Sequence, residues 1–409
     1  EDAYYYVAFG RRGQDDEEFF ATASDVVRAL TGELKRVPTR GAALEIGCGP
    51  GRLMRPMAAH FAEIHGVDVS DEMIRLAAER LKDTPNAFAH HGSGSDLALF
   101  PDAKFDFVYS YAVFQHIPSG EVVFQYLREA RRVLKDGGVL RCQLNGLPPH
   151  AKQYDTWSGV RIAPEEIHAF AREQNLQLLA IEQSWTQYMW ITCRKRPAGW
   201  CALPRSSAAR PAIRNLTNAV TGEAVAPAAG PMAAVSLWVY HLPAECDLLN
   251  MRVLADGGEC RLVYIGEPDK DAVTQVNATL PEGIRTGLVP VEIHYLGEAL
   301  CEPAWVRIMT PGPCVPRIAG ISDGVNLLSG TRVVTRSVKV TMHDVTQAET
   351  FHATVDGMDA EEIDSFRADP VTLRYEFNFK LPARIGRGMH EVEVRLGKRR
   401  FPPLSIEVA

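Results

Sequence analysis

The sequence predicts a multidomain protein in which an α/β domain with a mostly parallel sheet precedes two all-β domains. Three observations support this fold class. At 409 residues the chain is too long for one ordinary domain. Strand-like and helix-like segments alternate up to about residue 194, whereas short β-rich runs separated by turn residues fill the rest. Within that second part, related segments recur at a spacing of about 100 residues, the size of one small sandwich domain.

The first part has the rhythm of a parallel sheet covered by helices on both faces. A helix is expected from about Asp16 to Lys35, because apolar residues recur there at helical spacing. Ser70 is expected to cap a later helix, with Asp71 and Glu72 in its first turn. The alternation predicts, in order, strand 42–46, a helix near 51–61, strand 63–69, a helix near 71–82, strand 86–91, strand 105–110, a helix near 119–134, strand 138–145, a helix from Pro164, and strands 177–183 and 186–194.

A long loop, 146–160, follows the fifth strand and bears aromatic residues. In open α/β sheets the ligands bind at the carboxyl ends of the strands, and this loop opens there. Its length and composition predict a lid.

The turn after the first strand carries the most specific pattern in the chain. The strand ends at Glu45 and Ile46, and a G-x-G-x-G turn, 47–51, follows it. The second strand ends on Asp68, seventeen residues after Gly51. Glycine lets a turn approach a ligand without a Cβ clash, and a carboxylate in that place can accept hydrogen bonds from two vicinal ribose hydroxyls. The pattern predicts a nucleoside pocket at the switch point of the sheet, although the spacing is not the G-x-G-x-x-G of dinucleotide enzymes.

These residues resemble the first two motifs of class I S-adenosylmethionine-dependent methyltransferases. Residues 105–118 resemble that family's fourth strand and following loop, and residues 131–140 resemble its helix end, glycine turn and fifth strand. The resemblance covers residues 1–196, under half of the chain. It implies a Rossmann-like methyltransferase domain with an antiparallel last strand, S-adenosyl-L-methionine as the cofactor and methyl transfer as the activity. It says almost nothing about the methyl acceptor.

The resemblance also implies which residues hold the cofactor. The segment from Glu45 to Gly51 would approach its methionyl part and ribose, and Asp68 would accept from the ribose hydroxyls; the simpler alternative for Asp68 is a strand-end cap. Many relatives carry an aspartate for the adenine amino group where this chain has Ser93, so backbone groups of this loop or the Asp96 carboxylate are the alternatives there. The expected cofactor contacts are Glu45, Gly47, Cys48, Gly49, Gly51, Asp68, Val69, Ser93, Gly94, Ser110 and Tyr111.

His116 follows the fourth strand and is a candidate general base, because the unperturbed pKa of imidazole lies near neutrality. The alternative is that it orients the turn 115–118 by hydrogen bonding. The residues expected on the acceptor side are Tyr5, Gln115, His150, Tyr154 and Trp157. The alternative for Trp157 is a packing role, and the segment Tyr4–Tyr6 is expected either to fold over the cofactor as an N-terminal lid or to pack on the domain. No metal site is expected, since the eight cysteines include no C-x-x-C pair and read as reduced, mostly buried thiols.

Residues 197–210 are rich in Pro, Ser, Ala and Arg and predict a linker. Beyond it, residues 211–219 align with 316–324, and residues 277–284 align with 378–385. This repeat predicts two tandem Ig-like β-sandwiches, 211–312 and 313–409, whose Pro-x-Ile starts loosely resemble TIG-type modules.

No catalytic constellation stands out in the β domains. Trp238 and Trp305 fall within strand-like runs and are expected in the cores. The two domains are expected either to dock a substrate or partner, or to serve dimerisation or architecture, and the sequence leaves a homodimer open.

Composition limits the partners. The net charge of −7 disfavours nucleic acid, and no stretch reaches the ~18 apolar residues of a membrane span. No signal segment is evident, so a cytoplasmic location is expected. The expected function is methyl transfer to an O or N nucleophile of a small-molecule or saccharide acceptor. The alternatives are a non-methylating cofactor-binding protein whose Ig-like modules bind a glycan or protein partner, and transfer of a different group from the same cofactor.

Overall fold

The computed structural model describes residues 23–37, 39–149, 159–200, 210–312, 315–324, 330–369 and 373–409. Two compact units are present. One, Ala29–Gly312, holds the α/β sheet and the first β domain, and the strands from residue 317 onward lie in the other. Among the described residues no helix is long and apolar enough to cross a membrane.

The α/β domain alternates strands and helices as the sequence predicts, with one helix much shortened. The predicted helix near 51–61 is a single α-turn followed by a 3₁₀ turn, Ala58–His60, and contains Pro56, which has no N–H to donate. The helix predicted from Asp16 is described only from residue 24. The helices are α1 Ser24–Gly32, α2 Met54–Met57, α3 Asp71–Arg80, α4 Gly120–Val133 and α5 Pro164–Glu173; the strands are β1 Ala42–Ile46, β2 Glu63–Asp68, β3 Ala87–His91, β4 Phe105–Ser110, β5 Leu134–Leu144, β6 Leu176–Glu182 and β7 Met189–Lys195.

The strands form one sheet in the order β3-β2-β1-β4-β5-β7-β6. The pairs β3–β2, β2–β1, β1–β4 and β4–β5 are parallel, and β7 lies antiparallel between β5 and β6. The antiparallel last strand is therefore confirmed. The chain leaves β1 toward β2 on one side and returns through β4 on the other, so the carboxyl ends of β1 and β4 form the switch point. Ser70 caps α3, since its hydroxyl accepts a hydrogen bond from Met73 N at 3.4 Å.

Buried apolar side chains explain the layers of this domain. The strands β1 and β4 are buried along their whole length, as expected for a parallel sheet covered on both faces. The amphipathic helix α4 buries Val123, Leu127 and Ala130 in the same core. Among the described cysteines, those at 48, 142, 193, 246 and 260 are buried free thiols.

The strands of the first β domain follow the order β8-β10-β13-β12-β11-β14-β16-β9 in one continuous sheet, in which β12 pairs with both β13 and β11. Their buried apolar residues belong to one core. The strands are β8 Ala212–Asn218, β9 Val225–Pro227, β10 Ala234–Tyr240, β11 Met251–Ala255, β12 Gly258–Ile265, β13 Val273–Thr279, β14 Gly287–Tyr295, β15 Glu298–Ala299 and β16 Ala304–Met309.

This first β domain continues the α/β sheet directly. Strand β12 joins the edge of β6 through the pair Tyr264 and Ala180. Leu248 N donates to Leu178 O at 2.9 Å, and the Gln177 side chain donates to Ala244 O at 2.8 Å. The buried apolar residues of both parts belong to one continuous core. The α/β domain and the first β domain therefore pack as one unit, although the sequence predicts a linker, 197–210, between them.

The second β unit repeats the strand order of the first. Its sheets run β17-β19-β23-β22 and β18-β26-β24-β20, and the short strand β18 pairs in parallel with β26 as β9 does with β16. The two units therefore share these strand orders, although β11 and β12 join the two halves only in the first of them among the described residues; the internal repeat and the Ig-like identity stay predictions. The strands are β17 Arg317–Asp323, β18 Arg332–Val333, β19 Ser337–His343, β20 Phe351–Val355, β21 Met358–Asp359, β22 Glu361–Asp369, β23 Arg374–Lys380, β24 Gly388–Leu396, β25 Arg399–Arg400 and β26 Leu404–Val408.

The expectation for the two tryptophans was wrong. Trp305 is 56% exposed, because the register of β16 turns Val306 and Ile308 into the core and Trp305 outward. Trp238 is only half-buried.

Candidate functional site

The glycine turn after β1 adopts a conformation that only glycine takes easily. Gly47, Gly49 and Gly51 have φ values of +73°, +51° and +84°. A Cβ on Gly47 would lie 2.2 Å from Val113 Cγ2, in the loop after β4. The N–H groups of Gly47 and Cys48 donate to Val67 O at 2.8 and 3.1 Å, so the turn is fixed on β2. The sequence therefore uses glycine both for backbone conformation and for the close approach of the two loops at the switch point.

Asp68 ends β2 with its carboxylate held against this turn. One carboxylate oxygen accepts from Gly49 N at 2.9 Å and the other accepts from Ser70 N at 3.0 Å. Each oxygen of a carboxylate can accept about two hydrogen bonds, so each keeps capacity for one more donor. The strand-end cap and the ribose acceptor, which are alternatives in the sequence, are thus compatible: the cap orients the group that two vicinal hydroxyls would meet.

Glu45 lies at the end of β1 and is almost fully buried. Burial raises its pKa to about 8, although the hydrogen bond from Tyr109 and the positive charge of Arg52 act in the opposite direction. Tyr109, its partner across β4 in the register, donates its hydroxyl to Glu45 Oε2 at 2.9 Å. Burial therefore favours the protonated form of this carboxyl group, while Tyr109 and Arg52 beside it favour the ionised form.

Val69 and Gly94 lie close together although they belong to two different loops. Val69 is 59% exposed, and a Cβ on Gly94 would lie 3.3 Å from its Cγ1. Ser93 accepts from the N–H groups of Ser95 and Asp96 at 3.3 and 3.1 Å, so its hydroxyl closes the loop. The Asp96 carboxylate accepts from Ala98 N, as a turn residue would. The apolar side chain of Val69 therefore lies beside the backbone of the loop that contains Gly94, an arrangement that suits a flat base.

Ser110 and Tyr111 follow β4 and have different partners. The Ser110 side chain is fully buried and donates to Ile46 O at 2.8 Å, which ties β4 to β1. Tyr111 stacks on Trp190 of β7, with ring centroids 5.8 Å apart, and the Arg52 guanidinium lies over the Tyr111 ring at 5.8 Å from its centroid. The hydroxyl of Ser110 is thus a bracing group, whereas Tyr111 belongs to an aromatic wall.

Gln115 and His116 lie on a 3₁₀ turn, Phe114–His116, at the mouth of the site. The Gln115 amide nitrogen is 3.2 Å from His116 Nε2, so it donates to that ring nitrogen. The other amide atom, Gln115 Oε1, is buried without a partner. A Cβ on Gly159 would meet Gln115 O at 1.9 Å, and Val160 N donates to Ile117 O at 2.8 Å. The end of the predicted lid therefore lies against this turn.

Two polar residues of β5 belong to the site and were missed in the sequence. Gln143 accepts from Ala112 N at 2.9 Å and so holds a residue with a φ of +58° in the loop after Tyr111. Arg141 contacts Glu182 and Thr192, and its guanidinium lies 4.7 Å from the centroid of the Trp190 ring. The sequence does contain a signal for Arg141 and Gln143. Polar residues at a spacing of two in a buried strand lie on the same face of the sheet, which indicates a polar site on that face.

Four of the expected residues cannot be placed. Tyr5, His150, Tyr154 and Trp157 lie outside the residues that the structure describes. Their roles on the acceptor side stay predictions. Within the described ranges, no group of three or more His, Cys, Asp or Glu residues could hold a metal ion.

Comparisons with known proteins agree with this geometry. Residues 44–142 match the family described as Methyltransferase domain. The chain is 34% identical over 105 residues to phosphoethanolamine N-methyltransferase 2 of Caenorhabditis elegans, which covers 25% of this chain and 23% of that protein. It is 33% identical over 135 residues to trans-aconitate 2-methyltransferase of an Azoarcus species, which covers 32% of this chain and 50% of that protein. The chain thus spans between about a quarter and a half of these relatives.

A solved structure of an S-adenosylmethionine-dependent methyltransferase from Clostridium acetobutylicum also matches, at 14% identity and a TM-score of 0.36, over 44% of this chain and 99% of the other. The family match supports a Rossmann-like methyltransferase domain and S-adenosylmethionine as its cofactor.

Proposed function

We propose that this protein transfers a methyl group from S-adenosylmethionine to an oxygen or nitrogen nucleophile of a small-molecule or saccharide acceptor. The observation that carries the proposal is the placement of Asp68. Its two carboxylate oxygens are oriented by Gly49 and Ser70 and keep acceptor capacity for the two ribose hydroxyls. The glycine turn beside it, within the matched segment 44–142, supplies the close backbone approach.

The cofactor supplies a methyl group on a positively charged sulfur, which a nucleophile attacks in line. The residues of this chain then have one main task, to hold donor and acceptor at near-contact distance in the right orientation. Such positioning can supply ~7–11 kcal/mol of the barrier. Arg52, Tyr111 and Trp190 support this role, because their stacked arrangement forms a rigid wall from the glycine turn to β7.

His116 stays a candidate for removing the acceptor's proton. The hydrogen bond from Gln115 occupies the Nε2 lone pair, so a base acting through this nitrogen requires Gln115 to turn away when the acceptor binds. The alternative is that the pair orients the turn. A His116→Gln variant separates the two roles: loss of a base lowers kcat and alters its pH profile, whereas loss of a brace changes KM and stability.

The two β domains are proposed to dock a substrate or partner, or to form a dimer. An outward-facing surface on the first β domain supports docking, because Leu288, Trp305 and Met309 are exposed on β14 and β16 around the exposed Arg307, which pairs with Leu288 in the register. The buried free thiols and the metabolite cofactor support a cytoplasmic location.

The direct test of the cofactor site is calorimetric titration with S-adenosylmethionine. Asp68→Ala is expected to weaken binding at least tenfold, since two charge-assisted hydrogen bonds to the ribose are lost. Asp71→Ala is the matched control, because this exposed carboxylate lies three residues away on α3. Equal affinity of the Asp68→Ala variant and the wild type would contradict the proposed site. Binding without methyl transfer would favour the non-methylating binder.

A further inference from the structure

A cavity of about 250 Å³ opens at the hairpin of β24 and β25 in the second β unit. Its lining shares no residue with the proposed cofactor site. At ~30 Å³ per water molecule it has room for roughly eight waters, so it suits a small ligand or one group of a larger molecule. Polar and apolar residues both line it: His352, Thr354, Glu393, Arg395 and Arg400 are polar, and Val394, Phe401 and Pro403 are apolar.

The strand register brings three basic residues of this lining into one row. His352 on β20 is opposite Arg395 on β24, and Arg395 is opposite Arg400 on β25. Side chains alternate between the two faces of a strand, and the neighbours of Arg395 on β24, Val394 and Leu396, belong to the buried core. The row therefore lies on the face of the sheet that points away from the core.

The two arginines of this row have no counterion in the part of the chain that the structure describes, where neither Arg395 nor Arg400 forms an ion pair or a side-chain hydrogen bond. His352 differs, because its Nε2 lies 3.1 Å from Asp359 Oδ1. Glu393, the one carboxylate of the lining, is exposed and is opposite Thr354 in the register. Like charges directly opposite on paired strands destabilise a sheet, so an anion held between the two guanidinium groups would remove an unfavourable contact.

A hairpin of this kind forms without arginine. In the first β domain the two-residue strand β15, Glu298–Ala299, pairs with β14 as β25 pairs with β24. It contains no basic residue. Formation of the hairpin therefore does not explain the arginines, whereas binding of an anion does.

Thr354 adds an uncharged donor to the same lining. Its hydroxyl oxygen is buried and has no hydrogen-bond partner. Thr354 and His352 are two residues apart on β20 and therefore share one face of the strand. Because buried polar atoms in folded proteins are nearly always hydrogen-bonded, this hydroxyl points to a ligand that accepts a hydrogen bond.

We propose that this cavity binds the phosphate group of a phosphate monoester. A guanidinium group presents a planar fork of N–H donors that matches phosphate oxygens, and the forks of Arg395 and Arg400 with the Thr354 hydroxyl suit the three terminal oxygens of a monoester. Phe401 and Pro403 give the lining an apolar side for the organic part of the ligand. The proposal does not depend on the function proposed for the glycine turn.

The probe is phenyl phosphate, titrated calorimetrically into the full chain at constant ionic strength and about pH 8, where a monoester with a second pKa of about 6 is a dianion. Inorganic phosphate is titrated in parallel. Arg395→Gln removes an exposed charge that has no described partner. Arg387→Gln is the matched control, because this exposed arginine precedes β24 and lies about 26 Å from Arg395 at ~3.3 Å per residue.

Saturable binding of phenyl phosphate is expected, at least tenfold weaker in Arg395→Gln and unchanged in Arg387→Gln. Glu393→Gln should bind the probe about twofold more tightly, because a carboxylate that repels the anion is removed. Inorganic phosphate should bind more weakly than phenyl phosphate, since it makes no contact with Phe401 or Pro403. Bound phenyl phosphate should also raise the unfolding temperature of the wild type more than that of Arg395→Gln.

The Asp68→Ala variant is expected to bind phenyl phosphate as the wild type does, which separates this cavity from the cofactor site. Absence of saturable binding, equal weakening in Arg395→Gln and Arg387→Gln, or loss of binding in Asp68→Ala would overturn the proposal. Equal affinity for inorganic phosphate and phenyl phosphate would overturn the assignment of a monoester in favour of free phosphate.

Discussion

Replacing Glu267 by Gln should destabilise the α/β domain although the residue belongs to the first β domain. Glu267 Oε1 accepts from Arg36 Nη1 at 3.1 Å and from Arg194 Nη2 at 2.7 Å. The Arg36 side chain is fully buried, and its other contacts are Glu33 and the backbone carbonyl of Ile265. One carboxylate therefore neutralises two cations of the α/β domain from a strand connection of the β domain.

The expected size of the effect follows from what remains after the substitution. Removing one partner of a buried ion pair typically destabilises by ~3–5 kcal/mol. Arg36 keeps Glu33, and Arg194 is partly exposed, so the lower part of that range is appropriate. We expect a loss of about 3 kcal/mol, which is also the low estimate for two charge-assisted hydrogen bonds at ~1.5 kcal/mol each. For a unit of this size, that corresponds to a fall of roughly 4–8 °C in Tm.

The assay is thermal unfolding followed in parallel by circular dichroism and by retention of bound S-adenosylmethionine. Because Glu267 joins the two parts, both signals are expected to shift together in Glu267→Gln. Glu282→Gln, an exposed carboxylate in the same β domain, serves as the control and should leave both unchanged. Unfolding of Glu267→Gln at the wild-type temperature would contradict this expectation, and so would a shift of the circular dichroism signal with unaffected cofactor retention.

Three further predictions concern the sheet and its turn. Cofactor affinity should rise with pH up to about 8, by at most tenfold per pH unit, because a cationic ligand favours ionised Glu45. Isothermal titration of Glu45→Gln should show a cofactor affinity that does not change with pH over this range. The free energy of unfolding should fall below pH 6.5. Burial lowers the pKa of His65 and of His90, whose Nδ1 and Nε2 atoms lie 2.9 Å apart, so the unfolded chain binds more protons than the folded one in this range. Chemical denaturation of His90→Gln should show a smaller loss of stability with falling pH. Gly47→Ala should lower the free energy of unfolding by about 1–3 kcal/mol, because Gly47 has a positive φ and the added Cβ would clash with Val113. Adding Val113→Ala to this variant should restore part of the lost stability in thermal melts. An unaltered Tm in Gly47→Ala alone would be inconsistent with the turn geometry.

Much of the α/β domain was predictable from the sequence because its signals are local. The apolar run 42–46 is followed by glycines, and the Ser70 cap precedes two acidic residues. A few adjacent residues are therefore enough to predict the strand, the turn and the start of the helix. Asp68 was predictable for the same reason, since its place at the end of a strand fixes it beside the turn. The repeat of the β domains was predictable because residues 211–219 align with 316–324 and residues 277–284 align with 378–385, and the two β units share strand orders.

What the sequence could not supply depends on contacts between distant segments. Tyr109 meets Glu45 only through the register of β4 against β1, and Gln143 reaches Ala112 across the sheet. Trp305 was misplaced because a strand pattern does not reveal which of its faces is inward until the partner strands are known. The joining of β12 to β6 likewise has no local signal.

We propose that the site around Asp68 carries out methyl transfer. This is measured by incubating the protein with methyl-labelled S-adenosylmethionine and fractionated extract, with Asp68→Ala and Asp71→Ala in parallel, and by determining the masses of the products. We expect label in a product one methyl group heavier for the wild type and Asp71→Ala, and no label for Asp68→Ala. Transfer by Asp68→Ala at the wild-type rate, or a product gaining a group other than methyl, would contradict it.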